Sequence, residues 1–234
     1  MEKTAARLTV PQVDWQAERC TLTLEGEPVL EYVLSWPQVR GGGLGGRWIS
    51  RYYARLARAW RLRWQREVYW KACIQLADRR AAARPFTPWQ AELKGELTHL
   101  AGGLLSLRLE GVEIRGDGKP CRVRWGDTWK LREGAPCPLR ELFQGEKGWK
   151  RRILTHILQQ GNARRAAGDC LLDPGWERPA RKNLPQWDYC LNQETAEFAY
   201  PQCVIAPAAE GTPVFQVPLR PADAEHGDRP DPLQ

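Results

Sequence analysis

Histidine, serine and long apolar runs are scarce in this sequence of 234 residues. Its 3 histidines and 7 cysteines show neither CxxC spacing nor clustering, so no metal site or other cofactor is predicted. No apolar run approaches the roughly 20 residues that a membrane-spanning helix needs. The first residues also lack the apolar core of a secretory signal. We therefore expect a cytoplasmic protein without a membrane span.

The motifs of nucleophilic catalysis are missing as well. None of the 3 serines, Ser35, Ser50 and Ser106, stands in a GxSxG phrase. A Cys–His dyad depends on spatial pairing, and Cys137 with His156 is the least implausible pair. The sequence therefore predicts a protein that is not an enzyme.

The odd number of cysteines favours reduced thiols. Without an export signal, most of the 7 are expected to be buried and unpaired. Disulfides are the alternative, and hairpins would have to bring together Cys121 with Cys137, or Cys190 with Cys203.

Positive charge is abundant, and it is concentrated in one segment. The chain has 35 basic and 28 acidic residues, a net charge of +7. Residues 47–84 contain 11 basic and 2 acidic residues, a local net charge of +9. An anionic partner is therefore expected to bind in this segment.

The same segment has the clearest helical periodicity. At 100° per residue, Arg51, Arg55 and Arg58 fall opposite one apolar sector, and Pro85 ends the pattern. We therefore predict a long amphipathic helix over about 47–82, with its apolar sector packed on a sheet. The apolar sector comprises Ile49, Tyr53, Leu56, Trp60, Trp64 and Ile74.

The rest of the chain predicts strands and one further helix. A glycine-rich run at 41–46 is expected to be a flexible connection, and a second helix is expected at about 148–160. The order of strands and helices along the chain indicates an α+β fold, with an antiparallel sheet and both helices packed on one face. Residues 1–219 would form one domain, and 220–234 a disordered tail. Strands are predicted at 20–24, 29–36, 90–99, 104–109, 122–125, 187–191, 197–200 and 214–217.

Three phrases between residues 85 and 219 resemble those of a known family. They are GLLSL at 103–107, CPLRELF at 137–143 and CVIAPAAEGTPVFQVP at 203–218. In this order they resemble the domain of unknown function at the C-terminus of RsiV-type anti-sigma factors and PdaC-type peptidoglycan deacetylases. In the closing phrase, the prolines punctuate extended segments and Gly211 supplies a turn with positive φ. Its expected structural residues are Pro207, Gly211, Pro213, Phe215 and Pro218.

The resemblance implies a non-enzymatic module that binds a protein or a cell-wall-related glycan. RsiV-type domains recognise lysozyme, but lysozyme is strongly basic, and like charges on this chain would disfavour it as the partner. The turn that matches the glycine turn of the family is the candidate contact, with Arg115, Asp117 and Lys119 as its polar residues.

The alternative function is binding of nucleic acid or an anionic surface by helix 47–82. Arg51, Arg55 and Arg58 would contact phosphates, and the interleaved aromatic residues would stack on bases. A solvated basic face above a buried apolar face explains the same pattern. If the aromatic side chains are buried, stacking is not available to them.

Overall fold

Strands and helices follow one another in the order expected for an α+β chain. A computed structural model describes residues 11–143 and 146–219. The expected tail at 220–234 lies outside the described residues. The strands are β1 Gln12–Leu24, β2 Glu27–Arg40, β3 Trp89–Ala101, β4 Leu104–Ile114, β5 Pro120–Lys130, β6 Ala135–Pro136, β7 Tyr189–Asn192, β8 Thr195–Ala199 and β9 Val214–Pro218. The α-helices are α1 Gly43–Arg63, α2 Tyr69–Ala81, α3 Leu139–Leu142, α4 Trp149–Ala167 and α5 Glu177–Lys182.

Strands β1 to β6 form one six-stranded sheet in sequence order. Neighbouring strands are antiparallel except β2 and β3, which pair in parallel over residues 30–34 and 89–93. The chain between β2 and β3 contains the long helix, and such a crossover allows the next strand to run in the same direction. The predicted α+β class is confirmed, and the expected antiparallel sheet has this one parallel pair.

The large sheet is covered by the long helix on one face and by a second sheet over part of the other face. On β4, Leu105, Leu107 and Leu109 are fully buried in one apolar cluster with Ile49 and Tyr53 of α1. The alternate residues point the other way, because successive side chains of a strand lie on opposite faces. A second sheet, in the order β7-β8-β9, packs on that opposite face near β4 and β5.

The small sheet separates α4 from the large sheet. Its outer face buries Phe198 and Phe215 in one cluster with Ile153 and Ile157 of α4. The two helices were expected on one face of a single sheet, but they lie on opposite sides of the molecule. The reason is that the two faces of the small sheet differ: one packs on the large sheet through polar contacts, among them Glu197 with Arg108 and Arg124, and the other is apolar and is covered by α4.

The long helix is continuous over residues 43–81 and contains a π-helical turn at Trp64–Val68. Ile49, Tyr53 and Trp64 are fully buried as predicted, while Leu56 and Trp60 are only half-buried. Ile74 is 60% exposed, and Leu76 is buried in its place. The cause is the extra residue of the π turn, which shifts the angular position of all later residues by about 100°.

The glycine-rich run begins the helix and is not a flexible connection. Gly45 and Gly46 lie inside α1 and are buried. A Cβ on Gly45 would overlap the backbone oxygen of Leu131, and one on Gly46 would overlap that of Gly41. Glycine is therefore required here by close backbone packing.

All seven cysteines are free, and each lies in the described part of the chain. Neither Cys121 with Cys137 nor Cys190 with Cys203 forms a disulfide. Cys137 and Cys190 are buried, whereas Cys121 and Cys203 are exposed. The expectation of unpaired thiols agrees with this arrangement, but the expectation that most are buried does not, since only Cys73, Cys137 and Cys190 are.

Candidate functional site

The arginines of the long helix divide into two groups. Those directed toward the strands are paired: Arg61 with Glu18 and Arg63 with Glu113. Arg51, Arg55 and Arg58 are exposed, and none of them forms an ion pair with any described residue. Further exposed cations without an ion pair in the described chain are Arg47, Arg66 and Lys71. The exposed side of the helix therefore has six cations without an ion pair in the described chain and two exposed acidic residues, Glu67 and Asp78.

The same helix exposes large apolar side chains. Of the 8 large hydrophobic residues that are exposed in the described part, 5 belong to it. Trp48 is 54% exposed, and the guanidinium of Arg51 lies 5.4 Å from its ring centroid. Of the aromatic residues interleaved with the arginines, Tyr53 and Trp64 are fully buried and cannot stack on bases, whereas Trp48 and Tyr52 are exposed. The 5 exposed residues are Leu44, Trp48, Tyr52, Trp70 and Ile74.

The predicted contact turn is held together by its own charged residues. The guanidinium of Arg115 lies 2.7 Å from the carboxylate of Glu113, and Asp117 accepts the backbone N–H of Lys119 at 3.1 Å. Lys119 is exposed. Whether this turn contacts a partner remains a prediction.

The structure does not bring this turn together with the three arginines of α1. Gly116 lies against Gln75 of α2. Since Arg58 precedes Gln75 by 17 positions, the two regions are about 25 Å apart along the helix at 1.5 Å per residue. The predicted site residues therefore belong to two separate surfaces.

Glu113 itself is almost fully buried beneath the turn, at 5% exposure. Burial alone would raise the pKa of its carboxyl group, but hydrogen bonds from Arg115 and Arg63 outweigh this effect and lower the pKa. Trp64 donates a third hydrogen bond from Nε1, at 3.1 Å. Glu113 therefore stays ionised and joins the helix to the sheet.

A groove of about 610 Å³ lies on the face of the large sheet that is opposite the helix. The small sheet covers one end of this face, around Ser106 and Thr128, and leaves the other end open. Half-buried Val112 and Ile114 line the open end together with charged side chains from five strands. The charged residues are Arg19, Glu31, Glu92, Lys94, Glu110 and Arg122.

This groove is not predictable from the sequence alone. The alternation of Gln90, Glu92 and Lys94 on β3 indicates a solvated strand face, but it does not show which strands are neighbours. A buried charge network adjoins the open end: Glu197 of β8 lies 3.2 Å from Arg108 and 2.6 Å from Arg124.

The groups best suited to proton transfer are occupied in structural contacts. Burial raises the pKa of Asp127 to about 6, although a hydrogen bond from Tyr53 opposes the shift. The Tyr53 hydroxyl donates to Asp127 at 2.7 Å and accepts from Trp129 Nε1 at 2.9 Å. Burial also raises the pKa of Cys137, so its thiol is protonated at neutral pH. No hydrogen bond joins Cys137 to His156 in the described chain.

The closing phrase of the resemblance is integrated into the fold. Gly211 has φ of 76°, as predicted. The carbonyl oxygen of Pro213 accepts the N–H of Tyr200 at 2.9 Å. Phe215 is buried and stacks on Trp176, with ring centroids 6.0 Å apart.

Metal-binding clusters and membrane-spanning helices are both absent from the described residues. No three His, Cys, Asp or Glu side chains lie close enough to hold a metal ion there. No helix of the described ranges is both long and apolar enough to cross a membrane.

Solved structures share this fold. A member of the DUF3298 family from Bacteroides fragilis superposes with a TM-score of 0.63 and 15% sequence identity, covering 92% of each chain. A DUF3298 family protein from Pseudomonas aeruginosa PAO1 gives a TM-score of 0.51 and 12% identity, covering 88% of this chain and 90% of its own. No protein-family model and no curated protein matches the sequence.

These comparisons define the fold as the one found in domains of unknown function of the DUF3298 type. The similarity extends well beyond residues 85–219, where the resemblance was seen in the sequence. The specific link to RsiV-type and PdaC-type proteins remains a prediction.

Proposed function

We propose that this protein is a non-enzymatic binding domain whose ligand is a protein held in the groove on the large sheet. The observation that carries the proposal is the convergence of charged side chains from separate strands on one open end of the sheet face. The groove has a volume of about 610 Å³ and is open to solvent, so side chains of a partner surface can enter it.

The chemistry of the groove favours a protein over a glycan. Glu31, Glu92, Arg19 and Arg122 are exposed, and no described residue forms an ion pair with them. Side chains of both signs match a partner surface that also presents both signs. Among the described residues that line the groove, none has an exposed aromatic ring to stack on a sugar.

The groove lies away from the basic residues that disfavour lysozyme as a partner. The basic residues that disfavour lysozyme are concentrated on the long helix, on the other side of the large sheet. The groove itself presents three acidic and three basic side chains. Lysozyme, the ligand that the resemblance implies, is therefore the first protein to test.

The experiment compares the wild-type chain with the double variant Glu31→Lys and Glu92→Lys. The wild-type chain should bind lysozyme, or a protein captured from lysate, saturably at physiological salt, and the double variant should lose that binding. Glu194→Lys is a control, because Glu194 is exposed in the turn between β7 and β8, away from the groove. If the double variant retains the partner as well as the control does, the groove is not the binding site.

A further inference from the structure

The outer face of the long helix forms a second surface, independent of the groove. We infer that it binds single-stranded nucleic acid. Its centre is a row of arginines, Arg51, Arg55 and Arg58, that are exposed and without an ion pair in the described chain. Three of the other arginines of the helix, Arg61, Arg63 and Arg80, do have carboxylate partners. The sequence therefore leaves positive charge unneutralised on the outer face.

The position of the row fits an extended polyanion. On a helical wheel at 100° per residue, Arg51, Arg55 and Arg58 fall within a sector of about 60°. Arg47 and Arg66 extend the positive charge at both ends over about 28 Å of helix. Among the described residues, the main contacts of the helix with other elements are those with β2, so its outer face is available to a strand of nucleic acid.

Exposed aromatic rings lie beside the arginines. These rings favour a single-stranded nucleic acid over a duplex. Trp48 and Tyr52 are one helical turn apart and are 54% and 43% exposed. The edge of Tyr52 packs on Trp129, at 5.0 Å between centroids, which fixes its ring. Unpaired bases can stack on such rings, whereas paired bases of a duplex cannot leave their own stack without cost.

A membrane surface fits this face less well. An interfacial helix needs a continuous apolar stripe along its length. Here the large exposed apolar residues form two separate groups, at 44–52 and at 70–74, and none of the described residues between them is large, apolar and exposed. Arg55 and Arg58 occupy part of this gap on the exposed face. The observations therefore favour a single strand with free bases.

The test measures the binding of fluorescently labelled 20-nucleotide oligo(dT) and oligo(U) to the full chain between 50 and 300 mM salt. The wild-type chain should bind at least one of them, with log affinity falling linearly as log salt rises, because counterions are released from the phosphates. Replacing Arg51, Arg55 and Arg58 by Gln should weaken binding at least thirtyfold at 50 mM salt. It should also reduce the magnitude of the salt slope by about 2, at roughly 0.7 per phosphate contact.

A control variant with the same change in net charge shows whether binding depends on this surface or only on the total charge of the protein. Arg151, Arg165 and Arg178 are exposed on α4 and α5 and form no ion pair in the described chain. Replacing these three by Gln changes the net charge equally, yet it should leave affinity within about threefold. Trp48→Leu should weaken binding about tenfold without changing the salt slope, since stacking involves no phosphate.

Several results would overturn the inference. One is the absence of binding at 50 mM salt, and another is an equal loss of affinity in the two triple variants. A third is equally tight binding of a 20-base-pair duplex or of phosphatidylserine vesicles, which would assign the face to a different anion. Thermal unfolding of each variant, expected within a few degrees of wild type, confirms that the chain remains folded.

Discussion

At the scale of single residues, Glu113 connects the middle of the long helix to β4 and to the turn that follows it. It is 5% exposed and accepts hydrogen bonds from Arg63, Arg115 and Trp64. A buried carboxylate with two guanidinium partners is costly to remove, because the partners are left without their counter-charge.

We expect Glu113→Ala to lower the free energy of unfolding by about 2–3 kcal/mol, less than for a fully buried pair because both arginines are partly exposed to water. Urea denaturation provides the measurement. The control is Glu92→Ala, whose side chain is exposed and has no ion pair in the described chain. Equal stabilities of the two variants would contradict the structural role of Glu113.

Asp127 makes the stability depend on pH in the opposite sense from most carboxylates. Its pKa is raised from 3.8 to about 6 by burial. Between these two values the folded chain holds a proton that the unfolded chain has lost, so stability falls as pH rises through this window. Above pH 6 the folded state contains an ionised carboxylate that burial disfavours.

Asp127→Asn should therefore be more stable than wild type at pH 8, by up to about 3 kcal/mol for a shift of two pKa units. The Tyr53 hydroxyl can still donate to the amide oxygen. The difference should largely vanish at pH 4, where the wild-type carboxyl is protonated. Urea unfolding at both pH values measures it, and a variant that is less stable than wild type at pH 8 would refute the expectation.

At the scale of elements, the π turn decides which side of the long helix meets the sheet. Trp64 begins the π turn, is fully buried and contacts Tyr32 and Trp60 through its ring. Trp70 follows the turn and is 65% exposed. The two tryptophans are six positions apart and have opposite environments.

Trp64→Ala should destabilise the fold by about 3–5 kcal/mol, as expected for a large aromatic side chain removed from a core. Trp70→Ala should change stability by less than about 0.5 kcal/mol. Both values come from urea unfolding followed by circular dichroism. A large loss at Trp70 would mean that its ring is covered in solution.

The start of the helix depends on the absence of side chains. Gly45→Ala would place a methyl group onto the Leu131 backbone oxygen and 2.7 Å from the Gly134 nitrogen. Backbone atoms cannot move aside as easily as a flexible side chain. We therefore expect the free energy of unfolding to fall by about 1–3 kcal/mol. The neighbouring Leu44→Ala, at a position 66% exposed, is the control and should be nearly neutral. A stabilising effect of Gly45→Ala would show that α1 does not approach the β5–β6 turn this closely.

At the scale of the whole molecule, a buried polar network fastens the small sheet to the large one. Ser106 Oγ accepts the N–H of Leu191 at 2.8 Å and lies 2.8 Å from Thr128 Oγ1. Thr128 in turn donates to the Tyr189 carbonyl oxygen at 3.1 Å. The serine of the GLLSL phrase therefore has a structural role between the two sheets.

Ser106→Ala should lower the free energy of unfolding by about 1–3 kcal/mol, because it leaves the Leu191 N–H buried without an acceptor. Ser35→Ala is a natural control, since Ser35 is half-buried and has no side-chain hydrogen bond in the described chain. Chemical denaturation of both variants tests the difference. Equal stability of the two would mean that the network does not contribute to the docking of the sheets.

Local patterns in the sequence are sufficient to predict most of the elements, because hydrophobic periodicity reflects which side of a strand or helix is buried. Strand alternation identified β3, β4 and β8, and the basic amphipathic segment identified the long helix within a few residues of its ends. The same patterns also placed Arg51, Arg55 and Arg58 on the exposed face, where the structure has them.

Contacts between distant segments determined the rest. A helical wheel assumes 3.6 residues per turn, and the π turn has more. Ile74 therefore lies at the surface and not in the expected core. The glycine run begins the helix, and its glycines are required because the backbone of Leu131 and Gly41 lies against them. The parallel pairing of β2 with β3, the second sheet over Ser106 and the groove all depend on which strands become neighbours. A local pattern gives the side of a strand that is buried, but the partner that buries it is chosen only when the whole chain packs.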